Sequence, residues 1–249
     1  MSLTRLFVSQ NLKTGQQLQL DEEQARYVAR VLRLRVGDSI TLFNGEDGEF
    51  EARLESIGRS TATAMLGAKL ETTTESPLKV HLVQGISRGE RMDLVIQKAT
   101  ELGVKRISPV LTEFGVVKLD PKRAAKRRDH WQGIARSACE QSGRTRPPLI
   151  DDPTALNTWL GAHSKAADSD LILRPGATTA LSSLAAPATE LCLLIGPEGG
   201  FSDTEYEDAA LAGFKEVSLG PRILRTETAA FAALTIAQTL WGDLGPTKH

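Results

Sequence analysis

Cysteine is nearly absent: Cys139 and Cys192 are the only two in 249 residues. They are too few and too far apart for a disulfide framework. Both fall in apolar helix or strand patterns, which predicts buried free thiols. The four histidines, His81, His130, His163 and His249, show no metal-ligand spacing, and no metal is expected. No segment approaches the roughly 18 consecutive apolar residues of a membrane span. The opening MSLTRLFV lacks the long apolar stretch of a signal peptide, so the chain is expected in the cytosol. Internal repeats and low-complexity tracts are lacking too. Neither G-x-G-x-x-G nor G-x-x-x-x-G-K-[ST] occurs, which removes the usual dinucleotide and P-loop readings.

What remains is an ordinary globular composition, 41% apolar and 24% charged, long enough for one large or two ordinary domains. The net charge of −1 conceals a segregation along the chain. Residues 1–75 carry nine Lys/Arg against eleven Asp/Glu, residues 76–150 fifteen against seven, and residues 151–249 six against thirteen. A basic middle segment suggests a polyanion footprint, although a solvated helix face gives the same count.

The stretch from Leu191 to Trp241 carries the densest signals. Leu191 to Gly196 is a short apolar run bounded by Gly and Pro, the pattern of a strand buried on both faces. Gly196-Pro197-Glu198-Gly199-Gly200 then forms a turn. Ser202 with Glu205 makes a capping box for a helix that Gly213 stops. Phe214 to Leu219 reads as another strand, and Gly220-Pro221-Arg222-Ile223-Leu224-Arg225 as a second irregular turn. A last helix, capped by Thr226 or Thr228, runs to Trp241. Twice a strand ends in a Gly/Pro loop that opens a helix, which is how open α/β folds build ligand sites. A glycine-rich turn alone is structural as often as functional. The second loop adds apolar Ile223 and Leu224 between Arg222 and Arg225, a composition suited to an apolar ligand face beside an anion.

Earlier in the chain, Arg5 to Val8 reads as a strand. Asp21 and Gln24 form a capping box, and Ala25, Val28, Ala29 and Leu32 make the buried stripe of a short helix. Arg26, Arg30 and Arg33 at i, i+4 and i+7 then line its other side, with Arg35 just beyond. Such rows are often merely solvated. No acid is read at i±4 within this one, which favours phosphate binding. Period-two alternation follows through Ile40 and Leu42, the turn Asn44 to Gly48, then Phe50, Ala52 and Leu54, and on to Leu66. The polar, proline-terminated Glu71 to Pro77 reads as a linker. From Leu78 strand and helix alternate, with helices over Arg91–Leu102 and Pro121–Ser142, and this βαβ rhythm predicts a parallel sheet.

The segments GERMDLVIQKATELGVKRISPV, ARSACEQSGR, LLIGPEGGFSDTE and SLGPRILRTETAA, with VARVLRLRVGD near the start, closely resemble the RsmE family of bacterial small-subunit ribosomal RNA methyltransferases, of the SPOUT superfamily. The resemblance spans nearly the whole chain. It implies an α/β fold in which a small PUA-like β-barrel, residues 1–73, binds RNA and precedes a SPOUT-type parallel-sheet domain, residues 74–249, tied in a C-terminal trefoil knot. It further implies a homodimer through the knotted region, S-adenosylmethionine as methyl donor and uracil N3 of 16S ribosomal RNA as acceptor.

Projected onto these residues, the cofactor site comprises Leu173, Ile195, Gly196, Pro197, Gly199, Leu219, Gly220, Ile223, Leu224, Thr228 and Ala229. Leu219 and Leu224 taken singly read equally well as core. Uracil N3 must lose its proton before it attacks, so a base, or cations holding the anion, are required. Glu198 is the candidate base or orienter, and Arg225 the candidate for holding charge on a uracil carbonyl. Arg5, Arg30, Arg33, Arg35 and Arg88 are the candidate RNA contacts, with Arg123 and Arg127 as outer ones. Two competing classes stay open: a non-catalytic RNA-binding assembly protein, and a methyltransferase of another RNA or a small molecule.

Overall fold

The computed structural model describes residues 4–71, 74–117, 120–163 and 169–245. The expected boundary after residue 73 and His249 lie outside the described residues. The chain divides into two compact units, one of residues 1–75 with 139–147 and one of residues 76–138 with 148–249.

Alternation of apolar and polar residues builds the first unit. Strands β1 (Thr4–Phe7), β2 (Gln17–Leu20), β3 (Ser39–Phe43), β4 (Glu49–Ile57) and β5 (Ala62–Leu70) form one sheet in the order β1-β3-β4-β5-β2. All its pairings are antiparallel except β1 on β3. Phe50, Ala52 and Leu54 of β4 and Ala62, Ala64 and Leu66 of β5 point into one core, as period two requires. The residues from Cys139 to Pro147 are held into this unit by polar contacts. Glu75 takes Arg144 at 2.8 Å and the backbone N–H groups of Thr145 and Arg146 at 3.0 Å, and Glu140 takes the Phe7 N–H at 2.9 Å.

Asp21 and Gln24 form the expected capping box of helix α1 (Glu22–Arg26). The helix then departs from expectation. Tyr27–Val31 continues as a π-helix, whose wider turn breaks the i, i+4, i+7 row of arginines. Arg33 falls past the helix end in the left-handed region at φ 53°, where the Leu34 N–H reaches back to the Val28 carbonyl at 3.0 Å. The absence of a neutralising acid is also corrected: Arg26 pairs with Glu22, four residues before it.

The second unit is a seven-stranded sheet of β6 (Lys79–Gly85), β7 (Arg106–Leu111), β8 (Leu149–Ile150), β9 (Thr154–Ala155), β10 (Asp170–Leu173), β11 (Glu190–Ile195) and β12 (Lys215–Val217). Its order is β12-β10-β11-β6-β7-β8, with β9 beside β7, and every pairing is parallel. Among the described residues five α-helices accompany it: α2 (Glu90–Glu101), α3 (Pro121–Ser142), α4 (Leu156–Ala162), α5 (Asp203–Leu211) and α6 (Thr226–Trp241). The run Leu191–Ile195 is apolar throughout because both faces are covered. Leu191, Leu193 and Ile195 face one core with α2 and α6 residues, while Cys192 and Leu194 face another with Leu156, Phe201 and Phe214.

The short β9 and α4 carry too few residues for a readable period. The strand expected over Phe214–Leu219 contracts to Lys215–Val217. The last helix begins at Thr226, with Arg225 in the capping position and no side-chain cap. Cys139 and Cys192 are free and buried. Among the described residues no helix is long and apolar enough to cross a membrane.

Candidate active site

The carboxyl ends of β10, β11 and β12 open into a cavity of about 580 Å³, walled mainly by the loops 196–200 and 218–225. Two glycine positions set the first loop. A Cβ on Gly85, at the end of β6, would lie 2.4 Å from Pro197 Cδ, so only glycine lets the loop pack there. Gly200 turns the loop at φ 70°, in the left-handed region.

Thr226 joins the two loops. Its hydroxyl donates to the Gly196 carbonyl at 2.6 Å and accepts from Gln84 Nε2 at 3.0 Å. Gln84 is fully buried and also lies 3.2 Å from the Gly85 carbonyl. The end of β6, the first loop and the start of α6 are thus bonded together.

Glu198 projects toward α2. Its carboxylate takes the Arg91 guanidinium at 2.7 Å and the Arg88 N–H at 3.1 Å. Partial burial pushes its carboxyl up, but its own backbone N–H, Arg91 and Arg88 outweigh burial and hold it below the ordinary glutamate value. On the other wall, Arg174 is tied to Glu216 at 2.6 Å and lies 4.3 Å over the Tyr206 ring. Arg222 and Arg225 line the cavity and have no carboxylate partner among the described residues. Their charge is therefore available to a ligand. Ile223 between them is 86% exposed.

Of the residues singled out in the sequence for the cofactor, ten line this cavity: Leu173, Ile195, Gly196, Pro197, Gly199, Leu219, Gly220, Ile223, Leu224 and Ala229. Thr228 is exposed and is not among the lining residues. Glu198 and Arg225 both line it. Arg91, Arg174, Tyr206 and Thr226 line it as well and were not singled out. Thr226 reads in the sequence as a helix cap, Arg174 directly follows Leu173, and Arg91 and Tyr206 come to the cavity only through the packing of α2 and α5.

The arginines expected to meet RNA are placed unequally. Arg30, Arg33, Arg35 and Arg88 have exposed side chains. Arg5 is engaged inside the first unit: its guanidinium pairs with buried Glu49 at 2.8 Å, donates to the Arg144 carbonyl at 2.9 Å and covers the Phe43 ring at 4.8 Å. Arg123 pairs with Asp120 at 3.3 Å, and Arg127 is half-buried.

At the opposite ends of the same strands a second polar group assembles. Ligand-type atoms of His163, Asp170 and Cys192 lie within 4.8 Å of one another. Linear spacing among histidines has no view of such a group, because strand register and a helix end bring it together.

Comparison with known proteins first defines the class. A family described as RNA methyltransferase domain matches residues 74–238, and one described as RNA methyltransferase PUA domain matches residues 20–64. The chain is an RNA methyltransferase of the PUA-bearing kind. A solved protein from Legionella pneumophila in complex with the bound cofactor SAM has a TM-score of 0.93 and 40% identity, covering 98% of this chain and 100% of that one. The ribosomal RNA small subunit methyltransferase E of Neisseria gonorrhoeae, bound to S-adenosyl methionine, has a TM-score of 0.91 and 40% identity over 97% of this chain and 99% of that one. The protein of the same name from Buchnera aphidicola subsp. Schizaphis graminum is 35% identical over 242 residues, 97% of this chain and 98% of its own. The chain belongs to the ribosomal RNA small subunit methyltransferase E family.

Proposed function

We propose that this chain transfers a methyl group from S-adenosylmethionine to N3 of a uracil in 16S ribosomal RNA. The observation that carries the reading is the cavity at the strand ends, with apolar walls from Leu173, Leu219 and Leu224 and two guanidinium groups on one loop that have no carboxylate partner among the described residues. Its volume, about 580 Å³, lies in the range of small-molecule cofactor sites. Apolar side chains beside bare loop backbone suit an adenine and its edge hydrogen bonds.

S-adenosylmethionine, when bound, supplies a methyl group on a positively charged sulfur that needs no further activation. The protein's part is alignment and charge. As the N3 proton passes to solvent water, negative charge spreads onto the uracil carbonyls, and the Arg225 guanidinium holds it there. Glu198, bonded to Arg91 and to the Arg88 N–H, acts as an orienter that fixes the first loop rather than as the base. Arg30, Arg33, Arg35 and Arg88 take phosphates, with Arg123 and Arg127 as outer contacts, while Arg5 serves its own unit first.

In the same reading residues 1–73 form a PUA-like RNA-binding barrel and residues 74–249 a SPOUT domain whose C-terminal portion is a trefoil knot. The protein works in the cytoplasm as a homodimer through the knotted region, on the small subunit or its RNA. The deciding experiment is incubation with labelled donor and 16S ribosomal RNA or small subunits, followed by mapping of the modified base. A label on uracil N3 is expected. A label in another RNA alone would move the assignment to a different substrate, and cofactor binding absent altogether would leave an RNA-binding assembly protein.

A further inference from the structure

The polar group at the amino ends of β10 and β11 has the makings of a metal site. Asp170 and Cys192 are register partners on neighbouring strands, so both side chains leave the sheet on one face at the spacing of adjacent strands. His163 follows the last turn of α4 and brings Nε2 to 2.9 Å from Asp170 Oδ2. Its ring is stacked on Trp159 at 4.7 Å between centroids and lies 5.3 Å from the Phe214 ring, which fixes its direction.

Two observations point beyond an ordinary buried ion pair. The first is the donor set: an imidazole nitrogen, a carboxylate and a thiol, all within 4.8 Å of one another. Ligands around a tetrahedral zinc ion stand about 3.3–3.6 Å apart by its bond lengths, so small side-chain movements would bring all three into range. The second is independent of the cysteine. Asp170 is only 2% exposed, yet its Oδ1 takes no hydrogen bond among the described residues. A buried carboxylate oxygen without a partner is costly, and a cation supplies what it lacks.

We propose that His163, Asp170 and Cys192 form a three-ligand site for zinc or a similar borderline divalent ion. Nitrogen, oxygen and sulfur donors in one set select this class over magnesium or calcium, which take oxygen ligands. On binding, the Cys192 thiol gives its proton to solvent and the thiolate coordinates. His81, the next residue in the register row, is engaged by Ser108 at 2.7 Å and stands outside the set. The site is distinct from the cofactor cavity. Leu173 and Ile195, which line that cavity, lie three residues further along the same strands, about 10 Å away at the rise of a strand. The ion would tie α4 to the sheet and leave the methyl-transfer site untouched. The linear spacing of histidines predicted no metal, and the proposal departs from that expectation.

The test uses the full chain stripped with a chelator and titrated with cobalt(II) alone. One ion per chain is expected, with a near-ultraviolet thiolate-to-cobalt band that zinc abolishes by displacement. Cys192→Ser should lose the band and bind at least tenfold more weakly, and His163→Gln should weaken binding likewise. Circular dichroism establishes that each variant is folded. Should Cys192→Ser fail to fold, His163→Gln decides, since it alters a residue at the edge of the group. Absence of the band together with absence of bound ion in the unsubstituted chain overturns the proposal. So does cobalt binding that is unchanged in folded His163→Gln or in folded Cys192→Ser.

Discussion

The Thr226 hydroxyl donates to the Gly196 carbonyl at 2.6 Å, joining residues 30 positions apart at the mouth of the cavity. The first residue of α6 thereby closes the loop that follows β11. A hydroxyl that also accepts from Gln84 at 3.0 Å is a junction, and its loss leaves buried polar atoms short of partners.

Thr226→Val keeps the shape and removes the junction. A loss of about 1–3 kcal/mol in unfolding free energy is expected, the usual cost of an unsatisfied buried group, together with weaker S-adenosylhomocysteine binding by calorimetry. Thr226→Ser should behave nearly as the parent. Equal behaviour of the Val and Ser variants would mean that the hydroxyl does not hold the loops.

Gly85→Ala tests the packing of the first loop. The added methyl meets Pro197 Cδ at 2.4 Å unless the backbone shifts. Cofactor binding should fall at least tenfold while the far-ultraviolet dichroism is preserved. Retained affinity would show that the loop has room to move.

Arg225→Ala should slow single-turnover methylation on the order of a hundredfold, as removal of one charge-stabilising donor does elsewhere. Cofactor affinity, measured separately, should change little. A near-normal rate removes Arg225 from the chemistry.

Glu198 gives a prediction in pH. Its carboxyl is held below the ordinary value of 4.5. What its bonds contribute is therefore fully present above that value and lost only as pH falls through the lower folded one. No limb of the rate profile between pH 6 and 9 should belong to Glu198, and Glu198→Gln should keep most of the activity. A drop on the order of a hundredfold, with loss of the rise in rate on the acidic side of the profile, would restore it as the general base.

Arg30→Ala combined with Arg33→Ala should weaken RNA binding and flatten its dependence on salt. The slope of log K against log salt falls by about 0.7 for each single-strand phosphate contact removed. An unchanged slope would make these side chains merely solvated.

Much of the fold was legible because it depends on local pattern. The capping boxes Asp21–Gln24 and Ser202–Glu205 mark helix starts and both occur as read. Pro121–Ser142 was legible to its ends because Pro121 stands in its first turn and Gly143 follows its last residue. Elements of a few residues, such as Thr154–Ala155 and Leu156–Ala162, lack the length for a period to show. The π-helix at Tyr27–Val31 was illegible for another reason: a residue's choice between i−4 and i−5 bonding is made by packing and leaves no mark in composition.

The sequence by itself determined the alternation of strands and helices and the two Gly/Pro loops that wall the cavity. Those follow from side-chain period and from where the backbone tolerates glycine and proline. Tertiary structure decided which charges are free. Glu198 and Arg91 are 107 positions apart and bonded, Arg5 is bound to Glu49 within its own sheet, and Arg225 is left facing the cavity. It also decided that Asp170 and Cys192 stand side by side next to His163. Hydrogen bonds and strand register between distant segments exist only once the chain has folded, so residue identity names the groups and the fold assigns their partners.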